Sequence, residues 1–121
     1  MTIRRIHHVQ ITIPRGAEGA ARDFYCRLLG LRETPKPSSL QDRGGFWLDV
    51  GEQQLHVGVE DGVNRAGTKA HLAYQVDDLC VWRERLAAAA VQVIESVPIP
   101  GFERLEFRDP FGNRVELIQP I

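Results

Sequence analysis

Apolar and polar residues alternate at the start of the chain, with Val9, Ile11 and Ile13 interleaved by His8, Gln10 and Thr12. A period of two sends successive side chains to opposite faces, so this stretch predicts a strand with one apolar and one polar face. Pro14 ends it, because proline has no N–H to pair. Over 17–31 the apolar positions change period: Ala20, Phe24 and Leu28, joined by Ala21, Tyr25 and Leu29, make the stripe of an amphipathic helix, with Gly30 as its C-terminal cap. Turn formers fill 35–45 and predict an exposed loop. Two strands follow, Phe46–Val50 and Gln53–Val59, joined by a tight turn at Gly51 and Glu52, and then a polar connector over 61–68.

Beyond the connector the pattern begins again. Leu72, Tyr74 and Val76 alternate with polar or small residues as a strand does, and Asp77 or Asp78 caps a helix through Leu79, Trp82, Leu86 and Ala90. Short strands are expected at 91–95, 103–108 and 114–119, with a loop at 96–102 and a turn at 109–113. Each half reads as strand, helix, then three strands. This predicts an α+β fold of two βαβββ modules with mixed sheets, at about 4–60 and 69–119, within a single domain.

The repeat places four polar residues at two equivalent positions. His8 and His71 stand on the first strand of each module, while His56 and Glu116 lie between apolar neighbours on the last. The apolar face of each sheet must cover its helix, so all four point to the far face. If the far faces enclose a cavity, three imidazoles and a carboxylate converge in it, a donor set for a first-row divalent ion. Burying several such groups without an ion would cost several kcal/mol. His7 is expected to share the face of Val9 and Ile11 and to take no part in metal binding.

Composition narrows the partners. With 15 Lys and Arg against 16 Asp and Glu, nothing marks a nucleic-acid or anionic-membrane surface. No apolar run would span a bilayer and the N-terminus has no signal-peptide core, so a cytoplasmic location is expected. Cys26 and Cys80 fall in predicted helices without disulfide-like spacing and are read as reduced. Trp47, Phe102 and Phe107 are candidate apolar walls for a substrate, Gln10 and Thr12 its polar contacts, Arg43 and Arg108 its anion contacts, and the loop 97–102 a candidate lid.

The stretches HHVQITI, FYCRLLGL, QLHVGVE, AHLAYQVDDL and especially DPFGNRVELIQP resemble the vicinal oxygen chelate superfamily of glyoxalases, bleomycin resistance proteins and dioxygenases. The resemblance covers nearly the whole chain. It implies a cupped, half-barrel cavity and metal ligands at His8, His56, His71 and Glu116, with His56 and Glu116 also acting in catalysis. The ion it implies is Ni, Co, Zn, Mn or Fe(II). It further implies a homodimer acting on a small substrate with vicinal oxygens, as a lyase, isomerase, transferase or dioxygenase. The alternative it offers is a metal-independent drug- or small-molecule-binding protein of the bleomycin resistance type. Relatives vary most at the position of His56, where glyoxalase I carries a carboxylate.

Overall fold

The structure, a computed structural model, describes residues 1–121 and divides them into two compact units, 1–63 and 64–121. Each unit is built on one four-stranded mixed sheet of the same order, first-fourth-third-second.

In the first unit β1 (His8–Ile13) lies parallel to β4 (Gln53–Val59), which pairs antiparallel with β3 (Phe46–Val50), and β3 with β2 (Arg32–Thr34). Register puts Val9 opposite Leu55, Ile11 opposite Val57 and Ile13 opposite Val59, so one face of the parallel pair is continuously apolar. Ile13, Leu48, Leu55, Val57 and Phe46 are buried there, with Ala21, Phe24, Tyr25 and Leu29 from the helical segment.

That segment departs from the predicted single helix. It is a short α1 (Glu18–Arg22) continued by a π-helical turn, Asp23–Leu28. The Leu29 N–H reaches the Phe24 carbonyl at 2.9 Å, and the Leu31 N–H the Tyr25 carbonyl at 3.0 Å. Of the expected stripe, Ala21, Phe24, Tyr25 and Leu29 are buried while Ala20 is exposed. Gly30, at φ +77°, supplies the left-handed cap expected of it. Two further elements were not read from the pattern. One is β2, a three-residue edge strand of polar sequence; the other is the 3₁₀ segment Ser38–Arg43, inside what looked like open loop.

In the second unit β5 (His71–Gln75) lies parallel to β8 (Arg114–Pro120), followed in order by β7 (Phe102–Arg108) and β6 (Ile94–Glu95). Between β5 and β6 runs α2 (Leu79–Ala88), whose cap is Asp78: its carboxylate accepts from Cys80 N–H at 2.9 Å and Val81 N–H at 3.4 Å. Leu79 and Leu86 pack with Leu105, Phe107, Val115 and Leu117 as the buried core. Phe107 therefore cannot serve as a substrate wall. It is fully buried opposite Val115, on the helix-covering face of β7, where period two also puts Leu105.

The repeat extends to a pair that the letters do not display. Arg22 on α1 grips Glu33 on the edge strand β2 through both carboxylate oxygens, at 2.9 and 3.2 Å. Arg83 on α2 grips Glu95 on the edge strand β6 in the same two-pronged way. In each unit one arginine clamps the helix to the outermost strand. Both cysteines are free thiols, and no helix is long and apolar enough to cross a membrane.

Candidate functional site

In the first unit the polar face of the sheet is set by register: His8 stands opposite Gln54, Gln10 opposite His56, and Trp47 on β3 opposite His56 from the other side. The Trp47 ring lies parallel to His56 with centroids 3.9 Å apart, and His56 lies on His8 at 4.1 Å, making a stack of three rings. His56 is buried, with Nε2 2.9 Å from Gln54 Oε1. A carboxamide oxygen only accepts, so Nε2 carries the hydrogen and Nδ1 keeps its lone pair. Burial, and then the neighbouring His8 and His7 imidazoles, hold the pKa of His56 below the ordinary histidine value. His56 is thus neutral at pH 7, the form that binds a metal.

These residues line a cavity of about 580 Å³. Of the residues singled out from the sequence, His8, Gln10, Trp47, His56 and Arg43 border it; Lys36 and Leu40 border it too and were not singled out. Thr12 shares the face but lies opposite Gly58, outside the lining. His7 also corrects an expectation. It precedes β1, where the strand period does not apply, and it borders the same cavity with its Nδ1 3.0 Å from His8 Nδ1.

In the second unit His71 and Glu116 share the polar face, with Glu116 buried. His71 Nδ1 is 2.9 Å from the Lys69 carbonyl oxygen, which can only accept, so Nδ1 carries the hydrogen. That leaves Nε2 directed at Glu116 Oε1, 3.3 Å away. Both atoms are lone-pair donors, so a proton or a cation must lie between them to make the approach favourable. This donor chemistry fits a divalent metal. Arg104 competes for the same oxygen, its Nη1 donating to Glu116 Oε1 at 3.0 Å.

The rest of Arg104 turns to the candidate lid: Nε and Nη2 both donate to the Val97 carbonyl, at 2.9 and 2.5 Å. Next to it Arg114 holds Glu106 through two bonds of 2.7 and 2.5 Å, and Arg114 is the chief cause of a Glu106 pKa below the usual carboxylate range. Arg104, Glu106 and Arg114 were not singled out from the sequence, although alternation on β7 places Arg104 and Glu106 on the face of Glu116. Phe102 is partly exposed and borders a smaller hollow of about 200 Å³ with Ser96 and Pro98. Arg108 is occupied by its own turn, donating to the Gly112 carbonyl at 3.0 Å. Within either unit, no group of three or more His, Cys, Asp or Glu side chains gathers as a metal would require. Each unit supplies one pair.

What these observations define is a two-module α+β protein. Its repeated βαβββ sheets each present a donor pair on the parallel strands. The chain belongs to the Glyoxalase/Bleomycin resistance protein/Dioxygenase superfamily, whose family model matches residues 5–117. A glyoxalase family protein from Bacillus anthracis is 38% identical, with a TM-score of 0.93 over 100% of this chain and 98% of that one. A lactoylglutathione lyase from Agrobacterium tumefaciens, at 22% identity, shares the fold with a TM-score of 0.75 over 98% of this chain and 96% of that one. An antibiotic binding protein from a Streptomyces species does so at 21% identity, with a TM-score of 0.76 over 100% and 99% of the two chains. No curated protein matches the sequence significantly.

Proposed function

We propose that this protein is a divalent-metal-dependent enzyme acting on a small substrate with vicinal oxygens, with His8, His56, His71 and Glu116 as the ligand set. The observation that carries this reading is the facing of His71 Nε2 and Glu116 Oε1 at 3.3 Å, with the other imidazole nitrogen already committed to the Lys69 carbonyl. His8 and His56, stacked on one sheet face, supply the second pair. A bound Ni, Co, Zn, Mn or Fe(II) ion would act there as a Lewis acid toward substrate oxygen.

The chain's own residues supply the rest. Gln10 and Trp47 orient the substrate, and neutral His56 keeps its Nδ1 lone pair for the ion. Arg104 orients the buried Glu116 side chain, its Nη1 donating to Oε1 at 3.0 Å. The reaction is of lyase, isomerase, transferase or dioxygenase type, carried out by a cytoplasmic homodimer.

A second reading has its own support. The Arg104 guanidinium satisfies Glu116 without any metal, and the Streptomyces antibiotic binding protein shares the fold. On that reading the protein sequesters a small molecule and performs no chemistry. Elemental analysis of protein purified without chelator separates the two. The enzyme reading expects bound metal in the wild type and its loss in His71→Ala and Glu116→Ala. A wild-type protein that carries none, and takes up none of the five ions when they are added, refutes it.

A further inference from the structure

We propose that the cavity of the first unit binds an organic anion, its apolar body against the Trp47 side of the ring stack and its negative group held by Lys36 and Arg43. The lining includes one lysine, one arginine and three imidazoles, and no aspartate or glutamate. Neither Lys36 nor Arg43 has an ion-pair partner, unlike Arg22, Arg83, Arg104 and Arg114. At about 580 Å³ the space suits a small molecule.

The lysine of this lining is held in place by the loop itself. Lys36 Nζ donates to the Gly44 carbonyl at 2.7 Å, drawing together the two ends of the 3₁₀ segment Ser38–Arg43 and leaving two ammonium hydrogens for a ligand. Gly45 fixes the same loop from behind. At φ +77° its position tolerates no side chain, since a Cβ there would lie 2.1 Å from the Val57 carbonyl oxygen. The nearby carboxylate of Glu18 meets the Gly45 N–H at 3.4 Å and is not part of the lining. Gly58 leaves room for the Gln10 carboxamide, whose Nε2 would sit 2.7 Å from any Cβ. Gln10 can therefore lie across the lining and offer both a donor and an acceptor. The anchored Lys36 ammonium offers a point charge and the exposed Arg43 guanidinium a bidentate grip, a combination that favours an anion.

This inference shares its sheet face with the proposed function but not its metal, so the test uses chelator-treated full-length protein. Phenylphosphonate and uncharged benzyl alcohol are titrated by calorimetry, while the two indole N–H signals are followed by NMR, with Trp82→Phe assigning them. Phenylphosphonate is expected to bind at least about tenfold more tightly than benzyl alcohol and to move the Trp47 signal. Lys36→Met and Arg43→Gln should each weaken it by about fivefold, whereas Lys36→Arg and Arg27→Gln should not. Equal affinity for the uncharged compound, no binding at all, a shift at Trp82 alone, or unchanged affinity in Lys36→Met and Arg43→Gln would overturn the proposal. Anion binding that persists in a protein unable to hold metal leaves this inference standing and removes the metal reading. Metal retention without anion binding does the reverse.

Discussion

Replacing Asp109 tests whether the turn between β7 and β8 is held by one buried carboxylate. Its Oδ1 accepts from the Phe111 N–H at 2.9 Å and the Asn113 N–H at 2.8 Å, and its Oδ2 accepts from Asn113 Nδ2 at 2.8 Å. The Asn113 carbonyl closes the loop by accepting from the Asp109 N–H, also at 2.8 Å. Asp109 is only 4% exposed, so Asp109→Ala strands two backbone donors and one side-chain donor with little water to take over. Bonds to a charged acceptor contribute about 1.5–3 kcal/mol each, and three that share one carboxylate are not additive, so a loss of about 4 kcal/mol is expected. For a chain of this length that lowers the melting temperature by about 15 °C. Asp109→Asn keeps an acceptor for the two backbone donors but meets Asn113 with a second amide, and should cost about half as much. Urea unfolding followed by circular dichroism measures both, with an unchanged slope showing that the unfolded state is not the cause. A cost below about 1 kcal/mol for Asp109→Ala, or equal costs for the two variants, would refute the reasoning.

Two further perturbations act on other parts of the fold. Gly45→Ala combines a positive φ with a backbone collision at Val57 and should cost at least about 3 kcal/mol in the same assay, while Gly51→Ala, whose Cβ meets nothing, costs about 1 kcal/mol. The pKa of Glu106 is depressed in the folded state, chiefly by its bonds to Arg114, so its contribution is complete above the unfolded carboxylate value and lost as pH falls through the folded one. Stability measured from pH 6 to 3 should decline on acidification, and Arg114→Gln should flatten that decline while lowering stability at pH 7. An Arg114→Gln curve parallel to wild type would contradict the assignment.

Most of the framework was legible because the strands that matter are long and alternate cleanly. β1, β4, β5 and β8 were all placed by period two, and with them the faces of His8, His56, His71 and Glu116. What escaped had physical reasons. β2 is three polar residues whose pairing depends on Leu48 and its neighbours, and it carries no periodic signal of its own. The π turn at Asp23–Leu28 carries the buried Phe24 and Tyr25, and a stripe of apolar residues does not reveal a change from four-residue to five-residue spacing. Lys36 is one lysine in a turn-rich loop until the Gly44 carbonyl fixes it. Phe107 shows the opposite fault: alternation with Leu105 already assigned it to the core, and aromatic character alone had suggested a binding role. The same alternation on β7 could have found Arg104 and Glu106, which sit beside Glu116.

The shared strand order has a kinetic consequence. In each unit the candidate ligands ride on the parallel pair, joining His8 to β4 and His71 to β8 across more than forty intervening residues. Parallel pairing of this span must close a large loop before any contact rewards it, whereas the hairpin of β7 and β8 closes locally around Asp109. The hairpins are therefore expected to form first and the donor pairs to assemble last, in both halves of the chain. A nascent chain would bring His8 beside His56 and His71 beside Glu116 only after each module had wrapped completely.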